Sequence, residues 1–130
     1  MAEKPKITAL PGPDDLINQL RNTVAEDPTQ AQAHLNLGWG LHYGGHPAEA
    51  VTAFSRALEV DSLLVDAHYG LGLSYKKMQQ TGASLRAFQQ VLTLAGQDAD
   101  VGRGHMLLRL ARGHVNELNT GDWNLGSVLA

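Results

Sequence analysis

Apolar residues recur along the chain at intervals of three and four positions, and this spacing predicts amphipathic helices rather than strands. Breaks rich in glycine, proline or aspartate separate the apolar stripes, as at Gly44-Gly45-His46-Pro47. The pattern predicts a helix over 14–26, helix pairs over 31–44 with 47–60 and over 65–80 with 83–95, a longer helix over 99–119, and a short segment over 122–129. Residues 1–12 carry charges and prolines, which predict a flexible tail.

The apolar stripes repeat with a period of 34 residues. When 31–64 is aligned with 65–98, seven of the 34 pairs are identical, against roughly two expected from average residue frequencies. The identical pairs are Ala33 with Ala67, His34 with His68, Leu37 with Leu71, Gly38 with Gly72, Ala53 with Ala87, Phe54 with Phe88 and Leu58 with Leu92. A fixed period of this length is typical of a solenoid in which each helix pair stacks on the next.

The same shift extends toward the N-terminus as a half repeat over 14–28. Three series of apolar positions continue into it: Ile17 with Val51 and Leu85, Leu20 with Phe54 and Phe88, and Val24 with Leu58 and Leu92. The breaks also fall in step, at Pro28, Ser62 and Gly96. The predicted helix over 14–26 is therefore equivalent to the second helix of each pair.

The residues at these positions resemble the tetratricopeptide repeat. The first copy carries Ala33-His34-x-x-Leu37-Gly38-x-x-Leu41 and then Ala50-x-x-x-Phe54-x-x-Ala57. The second copy is similar, with Ala67-His68-x-x-Leu71-Gly72-x-x-Tyr75 and Phe88, although Ser84 and Val91 stand where alanine is usual. In both copies a histidine occupies the position that is usually tryptophan.

This resemblance implies an all-α fold, namely a right-handed solenoid of antiparallel helix pairs in one domain over 13–130. The domain would contain the half repeat, full repeats at 31–64 and 65–98, a capping helix at 99–119 and a tail at 120–130. A length of 130 residues suits one domain of this kind.

Two glycines and two phenylalanines give a physical reason for the stacking. Gly38 and Gly72 lie inside predicted helices, where glycine costs ~1 kcal/mol relative to alanine, so we expect each to permit a close helix contact. Phe54 and Phe88 would then fill the gaps between successive helix pairs.

The predicted helix over 99–119 has one apolar face and one polar face. The apolar face groups Leu107, Leu110, Ala111 and Leu118, and the opposite face groups His105, Arg109, Arg112 and Asn116. We expect the apolar face to pack on the second helix pair and to cap the solenoid.

The first helices of the two pairs carry large apolar residues on the side opposite their packing stripe, where side chains that meet only water should be polar. These residues are Leu35, Trp39, Tyr69 and Leu73. In tetratricopeptide-repeat proteins the first helices line a concave groove that binds partners. The resemblance implies that these four residues form the groove floor, flanked by Asn36, with His42, Tyr43, Lys76 and Lys77 as its wall and Arg109 and Arg112 at its far end.

The same apolar residues would equally be expected if they were buried by curvature of the solenoid, covered by the C-terminal tail, or used for self-association, and these alternatives stay open. If the groove binds a partner, an apolar or amphipathic helix is expected rather than an acidic C-terminus. Family members that clamp a terminal carboxylate do so with lysine and asparagine on the first helix. Leu35 and Trp39 stand at those positions here.

Composition narrows the function classes further. The formal charge of −3 argues against sequence-independent nucleic-acid binding. The absence of cysteine excludes disulfides and thiolate zinc sites. No run approaches the ~20 apolar residues that span a bilayer, so no membrane association is expected. We expect a cytoplasmic protein.

The six histidines show no ligand spacing for a metal, and no motif of an enzyme or cofactor site occurs. His34 and His68 repeat with the structural period, which favours a packing role. We therefore expect no metal, no cofactor and no catalytic activity. The sequence predicts a protein–protein interaction scaffold. The alternative is a structural assembly subunit that self-associates, as a homodimer or by helix exchange, through an incomplete C-terminal repeat at 123–130.

Overall fold

The computed structural model describes residues 12–95, 101–121 and 123. Within these residues the chain forms six helices and no strand. The helices are α1 (Pro13–Glu26), α2 (Ala31–Tyr43), α3 (Pro47–Val60), α4 (Val65–Lys77), α5 (Thr81–Ala95) and α6 (Val101–Thr120). The predicted tail, apart from Gly12, and the predicted last segment, apart from Trp123, lie outside the described residues.

Each helix packs on the next along the chain, with α2 paired to α3 and α4 paired to α5. The predicted all-α repeat solenoid is therefore confirmed. The predicted helix boundaries agree with the structure to within about a turn. The largest difference is at the end of α4, which was predicted to reach residue 80. It ends at Lys77 because Gln79 takes a left-handed conformation with φ of 61°.

The two repeating histidines close the turn that precedes each helix pair. His34 Nε2 lies 2.8 Å from the carbonyl oxygen of Pro28, and His68 Nε2 lies 3.2 Å from that of Ser62. In each turn the backbone carbonyl that would otherwise lack a helical partner is bonded by the imidazole. The predicted packing role of both histidines is confirmed by these contacts.

Phe54 fills the space between successive helix pairs, as predicted. Its ring is fully buried and lies against Gly38 of α2 and Gly70 of α4. A Cβ atom added to Gly38 would lie 2.6 Å from Phe54 Cδ1, closer than real Cβ contacts. Phe88 occupies the equivalent position against Gly72. The missing glycine side chains thus let the aromatic rings enter between the helices.

Ser84 also stabilises the contact between α4 and α5. Its hydroxyl donates a 2.8 Å hydrogen bond to the carbonyl oxygen of Gly72, and the side chain is fully buried. A buried hydroxyl is tolerated when it is bonded in this way. The bond explains how serine occupies a position where the family usually has alanine.

Helix α6 packs on α5 through Leu107 and Ala111, both of which are buried. The prediction that Asn116 lies on an exposed polar face is wrong, since its side chain is only 8% exposed. Trp123 packs over Gly113, which lies one turn before Asn116 on the same helix face. This face of α6 is therefore covered in part rather than open to water along its whole length.

Candidate functional site

The faces of α2, α4 and α6 that point away from α3 and α5 form what we call the inner surface. Leu35 of α2 was expected to be an open part of this surface, and this expectation is wrong. Its side chain is 3% exposed and belongs to the same core cluster as Ala67 and Leu71 of α4. The reason is that α2 and α4 contact each other directly, so a residue facing away from α3 is buried between them.

His42 is a second predicted groove residue that the structure buries. It is 9% exposed, and its Nδ1 lies 3.1 Å from the hydroxyl of Ser74, which is fully buried. Burial lowers the pKa of His42, and the charge of Lys77 lowers it further. The pair links α2 to α4 inside the protein, so His42 is not part of an exposed groove wall.

Helix α6 covers the part of the predicted floor that belongs to the second repeat. The hydroxyl of Tyr69 lies 3.2 Å from His114 Nε2, and burial raises the pKa of this tyrosine. Lys76 Nζ donates a 3.0 Å bond to Glu117 and lies 3.2 Å from His114 Nδ1. Leu73 packs in the same cluster as apolar residues of α6. These three predicted site residues therefore hold α6 in place.

His114 lies at the centre of this contact, and no repeated position in the sequence pointed to it. Its ring stacks on Phe88 with centroids 4.6 Å apart. Because Lys76 can only donate, Nδ1 accepts and Nε2 carries the proton that it donates to Tyr69. Burial lowers the pKa of His114 to about 4, and the nearby Lys76 charge acts in the same direction. The imidazole is therefore neutral at neutral pH.

The part of the inner surface that adjoins α1 is open, although Trp39 itself is half-buried. Trp39 and Tyr43 stack with ring centroids 5.8 Å apart and planes 21° apart. The edge of Trp39 also meets Phe54, 5.0 Å between centroids, which fixes the indole against the core. Tyr43 is 78% exposed, and Asn36 beside it is also exposed and accepts a hydrogen bond from Gln32.

An open cleft of about 510 Å³ adjoins this aromatic pair, and we call it the α1–α2 cleft. Its lining residues are Gly12, Leu16, Leu20, Asn36, Trp39, Gly40, Tyr43 and Gly44. The contribution of α1 was not predicted from the sequence. Leu20 was assigned to the core, while Leu16 lies outside the three repeating series. The available signal was that the 34-residue shift aligns the large apolar Leu16 with small residues, Ala50 and Ser84, in the two full repeats.

The basic residues predicted for the groove do not form one patch. Lys77 is exposed at the end of α4, and Arg112 is half-buried. Arg109 is exposed and lines a separate cleft of about 470 Å³ on α6, which we call the α6 cleft. Met106 and Trp123 also line the α6 cleft. The two clefts share no lining residue, so Arg109 lies apart from the open aromatic pair.

Neither a metal centre nor a membrane-spanning helix occurs in the described part of the chain. There, no group of three or more histidine, aspartate or glutamate side chains is arranged to hold a metal ion. No described helix combines the length and the apolar character that crossing a bilayer requires.

Comparison with known proteins agrees with the repeat architecture. The family profile of the tetratricopeptide repeat matches residues 65–98. Two solved structures of MamA are similar to 82% of this chain, at 27% and 26% sequence identity and with TM-scores of 0.62 and 0.63. This chain covers 63% and 58% of those two chains, which is less than two thirds of their length. No curated protein matches the sequence significantly.

The profile match falls on the second full repeat, the part of the chain in which α4 and α5 pair around Phe88. The structural similarity extends over most of the remaining helices. These findings support assignment of the chain to the tetratricopeptide-repeat family, with the direct profile match confined to residues 65–98.

Proposed function

We propose that this protein is an interaction scaffold that binds an apolar or amphipathic segment of a partner protein on its inner surface. The main support for this proposal is the stacked pair of Trp39 and Tyr43 beside the α1–α2 cleft. Tetratricopeptide-repeat proteins are in general scaffolds rather than enzymes. A cytoplasmic, non-catalytic protein without metal or cofactor is part of this proposal.

The aromatic pair has the properties of a binding hot spot. Trp39 is held against Phe54, so little conformational freedom is lost when a partner contacts it. Tyr43 is largely exposed, and Leu16 of α1 is 46% exposed on the same cleft. Contiguous apolar surface with a fixed tryptophan is typical of protein-binding sites.

The proposed site differs from the predicted one in its membership. It is centred on Leu16, Leu20, Asn36, Trp39 and Tyr43, with Lys77 at its edge. Leu35 and His42 support it from beneath, and Tyr69, Leu73 and Lys76 position α6. Arg109 and Arg112 remain proposed contacts for a longer partner that extends along the inner surface to α6.

Affinity capture with the full chain, followed by titration of the recovered partner, tests this proposal. Trp39→Ala should weaken binding by about 30-fold, equivalent to about 2 kcal/mol at a hot spot. Leu63→Ala is the matched control, because Leu63 is 67% exposed but lies in the turn between α3 and α4. Circular dichroism should show both variants folded. Equal affinity of wild type and Trp39→Ala would overturn the proposal.

The α6 cleft favours a second candidate function, which is self-association. Met106 is 54% exposed there, beside Trp123. Exposed apolar surface at the end of a repeat array is a suitable contact for a second copy. Sedimentation over a concentration series would then show a dimer that Met106→Glu dissociates. A monomer at all concentrations would exclude this candidate.

A further inference from the structure

We propose that the α1–α2 cleft binds an amphipathic helix of a partner protein. The bound helix would pack on α1 as α2 packs on α3, and we call such a helix-binding position a seat. This inference rests on the proposed function and specifies the partner class. It is carried by the 34-residue period, which relates the residues of the cleft to positions that a helix covers elsewhere in the same protein.

The second helix of each pair buries one stripe of residues. On α3 the stripe is Ala50, Ala53, Phe54 and Ala57, and on α5 it is Ser84, Ala87, Phe88 and Val91. A shift of 34 residues toward the N-terminus gives Leu16, Gln19, Leu20 and Thr23 on α1. Leu16 is 46% exposed and Gln19 is also exposed. The same stripe is thus closed on α3 and α5 but open on α1.

The contacts of Phe54 show what normally closes the stripe. Phe54 lies between Gly38 of α2 and Gly70 of α4, that is, between two successive first helices. Leu20 is the equivalent residue on α1, and its Cδ1 would lie 2.6 Å from a Cβ atom added to Gly40 of α2. Leu20 therefore has a first helix on one side. Among the described residues, no helix lies on its other side.

The opposite wall of the cleft leads to the same conclusion. Gly40 of α2 is equivalent to Ser74 of α4, which is fully buried and bonded to His42 of α2. A first helix therefore covers this position one repeat later. Both walls of the α1–α2 cleft are thus positions at which this fold accommodates a helix.

The geometry specifies the chemistry of the occupant. The helices that fill the equivalent seats, α2 and α4, each have 13 residues. Each places a glycine against the phenylalanine ring of the helix on which it packs. The bound helix therefore needs a small residue opposite Leu20. Its C-terminal turn would lie near the start of α1, where Asp15 is exposed. Basic residues in that turn would complement this charge and the helix dipole.

The stripe on α1 is also more polar than its equivalents, which favours an exchangeable partner. Gln19 and Thr23 stand where α3 has Ala53 and Ala57. A polar side chain enclosed permanently in a core needs a hydrogen-bonding partner, whereas on an exposed face it is hydrated. The cleft is therefore compatible with water when unliganded and with an amphipathic helix when bound.

A peptide with the sequence of residues 64–78 is a suitable probe, because α4 fills an equivalent seat and ends in Lys76 and Lys77. Fluorescein-labelled peptide is titrated with the full chain, and anisotropy gives the dissociation constant. Saturable binding is expected. Leu16→Asp in the protein, or Gly72→Leu in the peptide, should each weaken binding at least about tenfold. Leu63→Asp, the control, should change it less than about twofold.

Three results would overturn the inference. The first is no saturable binding, or equal binding by wild type and Leu16→Asp. The second is tighter binding of the peptide to a full chain that carries both Ile7→Asp and Leu10→Asp. That result would mean that this chain's own N-terminal residues compete with the peptide for the cleft. The third is a dimer that Leu16→Asp dissociates, which would assign it to a second copy.

The peptide titration and the capture experiment fail independently. If the peptide does not bind but Trp39→Ala still loses the captured partner, the helix seat is wrong and the proposed function stands. If the peptide binds but Trp39→Ala still binds the captured partner as wild type does, Trp39 is not a binding hot spot and the proposed function is wrong. Circular dichroism of each variant confirms that a loss of binding is not a loss of folding.

Discussion

The imidazole of His114 lies parallel to the phenyl ring of Phe88, with centroids 4.6 Å and planes 4° apart. This stack joins α6 to α5, while Tyr69 and Lys76 contact the same imidazole from α4. One uncharged histidine thus fixes α6 against two helices, and α6 in turn covers the inner surface of the second repeat.

This arrangement predicts that stability falls in mild acid. The pKa of His114 is lowered from 6.5 to about 4 in the folded protein, chiefly by burial. The folded state therefore disfavours the protonated imidazole. The stability that this contributes is complete above pH 6.5 and is lost as the pH falls toward 4. Protonation would also place a positive charge beside Lys76, although Glu117 lies close to both.

Urea denaturation at several pH values between 7.5 and 4.5 measures this effect. His114→Phe keeps an aromatic ring on Phe88 and should reduce the loss of stability across this range relative to wild type. His105→Gln is the control, since His105 is exposed on the same helix. An unchanged pH dependence in His114→Phe would contradict the account.

Gly38→Ala should destabilise the protein by about 1–3 kcal/mol, because the new methyl group collides with the buried Phe54 ring. Alanine normally stabilises a helix interior relative to glycine by up to ~1 kcal/mol. Gly82→Ala gives the matched control, because its nearest neighbour would be Arg86 Nη1 at 3.7 Å. Thermal denaturation should show opposite shifts. A more stable Gly38→Ala variant would show that Phe54 does not need the glycine.

Gly113→Ala should displace Trp123 from α6, because the added methyl group overlaps the indole ring. The chain contains two tryptophans, so the measurement uses a Trp39→Phe background in which Trp123 is the only tryptophan. Its fluorescence should shift to longer wavelength as the indole becomes more exposed. Gly82→Ala in the same background should leave the emission unchanged. An identical spectrum for Gly113→Ala would contradict the placement of Trp123.

The repeat period made most of the fold predictable from sequence. Gly38 with Gly72 and Phe54 with Phe88 fix the register between helix pairs, because a ring and a missing side chain must meet at each interface. The turn histidine His34 was predictable for the same reason, since it recurs 34 residues later as His68. A feature that depends on the period alone can be read without coordinates.

The burial of a side chain by a helix from a neighbouring repeat was not predictable from the sequence. Leu35 and His42 lie on the side of α2 that helix angles make exposed, but α4 packs against that side. A helical wheel gives the direction of a side chain, not the presence of another helix there. Asn116 was likewise misplaced, since it is buried although it lies on the side of α6 opposite Leu107 and Ala111. The open cleft required knowing that Leu16 has no covering helix among the described residues.

The central claim is that the open aromatic pair of Trp39 and Tyr43 is where a partner binds. Hydroxyl-radical footprinting of the full chain, with and without the partner recovered by capture, tests it most directly. We predict that oxidation of Tyr43 and Leu16 falls in the complex, while that of the exposed Leu63 does not change. Protection confined to Met106 and Trp123, with Tyr43 oxidised as in the free protein, would contradict the account.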